Sequence, residues 1–249
     1  MELEKPLSIL DPGKRENMED NIFPWHGTAK ASDRFFIVCD GMGGHAKGEV
    51  ASMMACEGFA EYFSAHPQAE FSEQYFLDAF AAVQDSFNDY LHKNIESKGM
   101  GTTLVMAYFF TNAVAVVHCG DSRCYHLRGH ELLWRTRDHK LVEEWVEKGY
   151  ITAQAALHHP KSNIITRAIQ GSVVSEPKPD IRFITDLKPG DYLLLCTDGV
   201  YESLEDGQLL EILSLEEPDD IKLDKIYHFC YKKSKDNFSA YLLKIKNII

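Results

Sequence analysis

The sequence predicts an α+β domain built on antiparallel sheets. Two observations carry this. Between Thr103 and Arg135, four apolar runs are joined by connections of two or three residues, and a parallel crossover needs a dozen or more. The helical periodicities lie outside this block rather than alternating with strands, which disfavours a parallel sheet.

Arg34–Asp40 is a short apolar strand. Ala46–His66 reads as a helix whose apolar positions Val50, Met53, Met54, Phe59 and Phe63 fit one broad face. Ser72 caps a second helix with Glu73 in its first turn. Its stripe is Phe76, Phe80, Val83, Phe87 and Tyr90 or Leu91. Thr103–Phe110 and Ala113–Gly120 form a hairpin about Thr111-Asn112. Asp121-Ser122-Arg123 turns into Cys124–Arg128, and Gly129-His130 turns into Glu131–Arg135, so the block reads as a meander. Helical spacing resumes at Leu141-Val142 and Trp145-Val146. Ile181–Thr185 and Tyr192–Cys196 are strands again. Helices near Glu202–Leu215 and Ile221–Lys233 precede a last strand, Phe238–Ile245.

The chain has 249 residues, of which 45% are hydrophobic, enough for one large domain or two small ones. Its formal net charge of −12 disfavours nucleic-acid and anionic-membrane binding, which need a cationic surface. No apolar run reaches a membrane span, and the N-terminus lacks a signal-peptide hydrophobic region, so a cytoplasmic protein is expected. The six cysteines include no C-x-x-C pair and are expected as reduced thiols. Cys39, Cys119 and Cys196, each just before an aspartate, read as small packing residues.

Three strands end alike. FFIVC meets Asp40-Gly41, AVAVVHC meets Gly120-Asp121, and YLLLCT meets Asp198-Gly199. Glu19-Asp20 and Asp236-Asn237 complete the set. A single aspartate at a strand end is usually a turn former. If several converge they need cations, because two like charges about 4 Å apart repel by roughly 4 kcal/mol at an effective dielectric near 20. All-oxygen donors suit Mg²⁺ or Mn²⁺ rather than zinc or copper. Gly41 and Gly199 would then leave room for an ion and its waters.

Taken in order, GKRENMED, CDGMGGHAKGE, MGTTLV, HCGDSR, TRDH, HHPKSNIITRAIQG, LLLCTDGV and KDNFSAYLL resemble the motif series of the metal-dependent protein phosphatase family, the type 2C Ser/Thr phosphatases. The match runs from about Gly13 to Ile245, and the DGMGGH form is similar to the bacterial branch. The resemblance implies an α-β-β-α four-layer sandwich, two antiparallel sheets flanked by antiparallel helix pairs. It also implies a single catalytic domain over 1–249 with a flap at roughly 143–163. Two Mn²⁺ or Mg²⁺ ions are implied. Asp40 would bridge them, the Gly41 carbonyl would bind one, Asp198 and Asp236 the other, and Glu19 and Asp20 would act through bound water. Asp121 would hold a third, weaker ion, and Arg15 would grip the substrate phosphate with its planar donor fork. The implied reaction is direct attack of a metal-bridging hydroxide on phosphoserine or phosphothreonine, without a covalent phosphoenzyme. Phosphorylated targets of a Ser/Thr kinase and a monomeric state follow from the same likeness.

The chain departs from the family's pattern in places. Met42 stands where eukaryotic members carry a histidine proposed as general acid. His45, three residues on, is a candidate proton donor, with a structural role at the helix start as the alternative. Ser239 replaces a threonine of the last motif, Ser234-Lys235 replaces a usual glycine position, and Gln170 interrupts Arg-Ala-x-Gly.

Other readings are weaker. GMGGHA fits a dinucleotide fingerprint, but the required second strand is missing before Glu61. Gly41–Lys47 lacks the Gly and Ser/Thr of a P-loop. His118, Cys119, Cys124 and His126 would split across two strand faces rather than hold zinc. The rivals from other classes are a non-catalytic phosphoprotein-binding relative and a phosphatase of small phosphoesters. Against the first stand Arg15, Asp40, Asp198 and Asp236, all present.

Overall fold

The computed structural model describes residues 1–43, 47–68, 72–171 and 177–248. The chain opens with strands that periodicity did not announce: β1 (Glu2–Leu3), β2 (Leu7–Asp11) and β3 (Asp20–Phe23). The apolar strand β4 (Phe35–Met42) precedes helices α1 (Gly48–Ala65) and α2 (Glu73–Lys93). Then come β5 (Gly101–Thr102), β6 (Leu104–Phe109), β7 (Val114–Cys119), β8 (Arg123–Arg128) and β9 (Glu131–Arg135). Short helices α3 (Leu141–Glu147) and α4 (Ala153–Leu157) come next. Strands β10 (Ile169–Gln170), β11 (Asp180–Ile184) and β12 (Tyr192–Cys196) follow. The chain ends with α5 (Asp198–Tyr201), α6 (Asp206–Leu213), α7 (Asp219–Lys233) and β13 (Phe238–Asn247).

The strands form two antiparallel sheets. One runs β1-β13-β12-β8-β9, with β2 also on β13. The other runs β10-β5-β4-β6-β7-β11, with β3 also on β4. Strand alternation separates three cores. In β6, Leu104, Met106 and Tyr108 face α1 and α2, with Phe59, Phe76 and Phe87 in the same cluster. Val105, Ala107 and Phe109 of β6 face the other way, onto Leu193, Leu195 and Tyr241 of the second sheet. Leu194 and Cys196 turn outward to Leu209, Ile226 and Cys230 of α6 and α7. Strands buried on both faces explain the unbroken apolar runs. Each fully buried large side chain contributes roughly 1.5–3 kcal/mol. The expected four-layer sandwich is therefore present.

Three expectations need correction. The block from Thr103 to Arg135 is not one meander, because β7 and β8 lie in different sheets. The turn Gly120–Ser122 carries the chain across, with Gly120 at φ 111° and its Cβ direction blocked by the Thr103 side chain at 2.7 Å. The buried face of α1 is Ala51, Ala55, Cys56, Phe59 and Phe63, whereas Met53 is exposed. Small residues let the helix lie close on β4. The helix expected near Glu202–Leu215 is divided into α5 and α6, the second opened by a reciprocal capping box between Glu205 and Gln208. In α2, by contrast, the Ser72 hydroxyl accepts from the Tyr75 N–H at 3.1 Å, as expected.

Candidate metal centre

The sequence-predicted carboxylates meet where the ends of the two sheets face each other. Asp20 and Asp40 are directly paired across β3 and β4. Asp121 follows β7 in the inter-sheet turn. From the other sheet, Asp198 follows β12 and Asp236 precedes β13. Backbone bonds fix the frame. The Thr103 hydroxyl accepts from the Asp40 N–H at 2.9 Å, and the Thr102 hydroxyl donates to the Asp40 carbonyl at 2.9 Å. Glu19 is anchored by its N–H on Asn237 Oδ1 at 2.7 Å, and Asn237 also donates to the Pro12 and Asn17 carbonyls.

The glycines beside Asp40 and Asp198 serve a different purpose from the one expected. A Cβ on Gly41 would sit 2.1 Å from the Gly48 carbonyl oxygen, and one on Gly199 would sit 2.0 Å from that of Asn237. Backbone, rather than space for an ion, fills these positions.

Crowding raises the carboxyl affinities for protons. Burial pushes Asp40 well above the usual carboxylate range, helped by Asp20, Asp198, Asp121 and Asp236. Burial likewise raises Asp198, with Asp121, Glu202, Asp20 and Asp236 adding to it. Asp20 is pushed up to about 7 by burial, against the opposing hydrogen bonds of Ser239 and Thr197. Glu19 is raised by burial and by Glu49, with Arg15 opposing.

Protein donors serve these acids unequally. Asp20 Oδ2 accepts from the Ser239 hydroxyl at 2.7 Å and the Thr197 hydroxyl at 2.9 Å. Ser239 therefore keeps the hydroxyl of the threonine it replaces. Asp236 Oδ2 accepts from Arg15 Nη2 at 2.6 Å. Asp121 Oδ2 lies 2.9 Å from Lys140 Nζ and accepts from the Tyr201 hydroxyl at 3.2 Å. Among the described residues, no side chain or backbone group donates to the carboxylates of Asp40 or Asp198. Two donor-poor carboxylates in an all-oxygen cluster fit hard divalent cations.

The sequence reading missed Lys140, Tyr201, Thr197, Asn237 and Glu202. Thr197 and Asn237 lay inside recognised motifs, but nothing in the spacing assigned Lys140 or Tyr201 to the centre. His45 lies outside the described residues.

The four zinc candidates are not on the two faces of one hairpin: His118 and Cys119 lie in one sheet and Cys124 and His126 in the other. His118 instead joins His139 and Asp180, with ligand-type atoms within 4.8 Å of one another. Arg167 Nη1 already holds Asp180 Oδ1 at 2.8 Å. His139 Nδ1 accepts from the Gly120 N–H at 3.0 Å, and the His139 N–H donates to the Gly120 carbonyl at 2.9 Å. This group clamps the turn that presents Asp121. Burial, with His118 adjacent, lowers His139 to about 4.

A family model described as Protein phosphatase 2C matches residues 14–218. The chain belongs to the protein phosphatase 2C family. It is 36% identical over 204 residues to the Serine/threonine protein phosphatase PstP of Mycobacterium tuberculosis, which covers 82% of this chain. The chain spans only 37% of that relative's length. It is 33% identical over 239 residues to the Serine/threonine phosphatase stp of Listeria monocytogenes, covering 92% of this chain and 91% of the relative. The catalytic domain of a serine threonine protein phosphatase PstP, solved in complex with 2 manganese ions, superposes with a TM-score of 0.82 at 27% identity. That alignment covers 99% of this chain and 100% of the other. The fold described above is thus that of the protein phosphatase 2C family.

Proposed function

We propose that this protein phosphatase 2C chain is a metal-dependent Ser/Thr protein phosphatase, a hydrolase of phosphoserine and phosphothreonine in proteins. The observation that carries the reading is the pair of donor-poor carboxylates, Asp40 and Asp198, inside a cluster of acids beside Arg15. Asp40, the Gly41 carbonyl, Asp198 and Asp236 would hold two Mn²⁺ or Mg²⁺ ions, with Glu19 and Asp20 acting through water. When bound, the two ions supply acidified water and offset charge on the phosphoryl group.

The chain's own residues do the rest. Arg15 is half exposed at the rim and presents a planar fork to a phosphate. Its neighbour Lys14 donates from Nζ to the Lys232 carbonyl at 3.2 Å, Arg15 Nε donates to the Lys235 carbonyl, and none of Lys14, Lys232, Lys233 and Lys235 has a carboxylate within ion-pair distance among the described residues. This gives an acidic chain a cationic rim for an anionic substrate. Ser239 and Thr197 hold Asp20 from behind, and Thr102 and Thr103 hold the Asp40 backbone. No cysteine is suited to nucleophilic catalysis. All six are buried and free, and burial pushes Cys119 and Cys230 up to about 12. Free thiols also support a reducing, cytoplasmic setting. Among the described residues no helix is long and apolar enough to cross a membrane. The flap near 143–163, where His159 packs edge-on against Trp145 at 5.2 Å, would govern substrate choice. The substrates would be targets of a Ser/Thr kinase, and the working unit a monomer.

The test is hydrolysis of an aryl phosphate and of a phosphothreonine peptide with Mn²⁺, with Mg²⁺ and with EDTA, beside Asp198→Asn. The expected result is activity that needs the metal and collapses in the variant. Folded protein that binds Mn²⁺ calorimetrically yet hydrolyses neither compound would favour a phosphoprotein-binding role.

A further inference from the structure

We propose that Lys140 is a built-in cation for Asp121, taking the place that a third divalent ion would fill, so that this chain works with two ions. The inference rests on reading the centre as a two-metal phosphatase site.

Lys140 is buried at 8% exposure, immediately before α3. Its Nζ lies 2.9 Å from Asp121 Oδ2 and donates to the Tyr201 hydroxyl at 3.0 Å. Tyr201 in turn donates to the same Asp121 oxygen, closing a ring of three groups. The nearest competing acid is Asp138, whose Oδ2 is 3.8 Å from Nζ. Asp138 is already matched by Arg123, which donates to both its oxygens at 2.8 Å. Arg123 also stacks 3.6 Å over the Tyr201 ring, which fixes the phenol. The local charges therefore pair off as Arg123 with Asp138 and Lys140 with Asp121.

A divalent ion at Asp121 would have to share one carboxylate with a fixed, buried ammonium. The oxygen left for it, Oδ1, is buried without a hydrogen-bond partner among the described residues. That atom is where the two readings part: a third ion would use it, whereas under this one it would be met by a water or by one of the two ions held at Asp40 and Asp198. A tethered ammonium differs from an ion in kind. It cannot dissociate, so the charge at Asp121 does not vary with metal concentration. It also ties the base of the flap to the centre, because the residue after Lys140 begins α3.

The experiment counts ions. Mn²⁺ is titrated into the purified chain by calorimetry, with free Mn²⁺ followed by electron paramagnetic resonance. The expected count is two for the wild type and two for Asp121→Asn. Lys140→Arg should keep the count at two. Lys140→Met, uncharged and of similar length, should gain a weak third site that the double variant with Asp121→Asn loses. Three ions on the wild type, falling to two in Asp121→Asn, would overturn the proposal, as would a count of two in folded Lys140→Met. Should Lys140→Met fail to fold, the comparison of wild type with Asp121→Asn decides alone. A wild type that binds no pair of ions sensitive to Asp40→Asn and Asp198→Asn would instead sink the phosphatase reading, and this inference with it.

Discussion

Arg15 Nη2 donates to Asp236 Oδ2 at 2.6 Å, while Arg15 Nε donates to the Lys235 carbonyl at 3.2 Å. The proposed phosphate grip is thus held by a proposed metal ligand. Both side chains are about half exposed, so the pair adds little stability. Its consequence is positional: Asp236 and the Lys235 carbonyl together fix the guanidinium beside one of the clustered acids.

Arg15→Ala should lower kcat/KM by roughly 10–100-fold, since a hydrogen bond to a charged group is worth about 1.5–3 kcal/mol. Arg15→Lys should recover little, because a point charge cannot replace a planar fork. In a double-mutant cycle with Asp236→Asn, the two losses should not add. Steady-state kinetics on a phosphopeptide checks this, and strict additivity would mean that the contact has no bearing on the reaction.

Ser239→Ala removes one of the two hydroxyls on the buried Asp20 carboxylate. The expected cost is about 1–3 kcal/mol in urea unfolding, the range for a buried group losing a partner. Mn²⁺ affinity should fall as well, because Asp20 would be harder to ionise. An unchanged unfolding midpoint would show the hydroxyl to be dispensable.

Two glycines should respond with opposite signs. Gly120→Ala combines a positive φ with a 2.7 Å clash on Thr103 and should cost roughly 2–4 kcal/mol. Gly207→Ala, in α6 with nothing within 4 Å of the added methyl, should stabilise by about 0.5–1 kcal/mol. Thermal unfolding of both variants tests the pair.

His139 supplies a pH signature. Its ordinary value of 6.5 falls to about 4 in the fold, chiefly through burial. Between these values the unfolded chain binds the extra proton, so this contribution to stability is full above 6.5 and is lost as pH falls toward 4. His139→Asn keeps an acceptor for the Gly120 N–H but cannot titrate. The wild type should therefore lose on the order of 2–3 kcal/mol relative to this variant across that window. Parallel unfolding curves from pH 7 to pH 4 would refute the assignment.

Much of this was legible in the residues. The strands β4, β6, β7 and β12 stand out because each is buried on both faces and so reads as an unbroken apolar run. The carboxylates stood out because they end such runs. The N-terminal strands did not, since their mixed polar residues carry no clear period. The crossing at Gly120–Ser122 was hidden too: a three-residue turn between apolar strands looks like a hairpin whether or not the strands pair. Lys140 was invisible for a simpler reason. A lysine after Asp-His is an ordinary surface residue by pattern, and only the folded chain brings it to Asp121.

The inter-sheet crossing has one more consequence. Asp20, Asp40 and Asp121 ride on one sheet, and Asp198 and Asp236 on the other. The separation of the two halves of the centre is therefore a thickness, set by what fills the middle layer, such as Phe36 against Tyr241 with ring centroids 5.3 Å apart. The greasy interior acts as the feeler gauge of the carboxylate cluster, and a methyl group deep between the sheets is as much a part of its geometry as any acid at the rim.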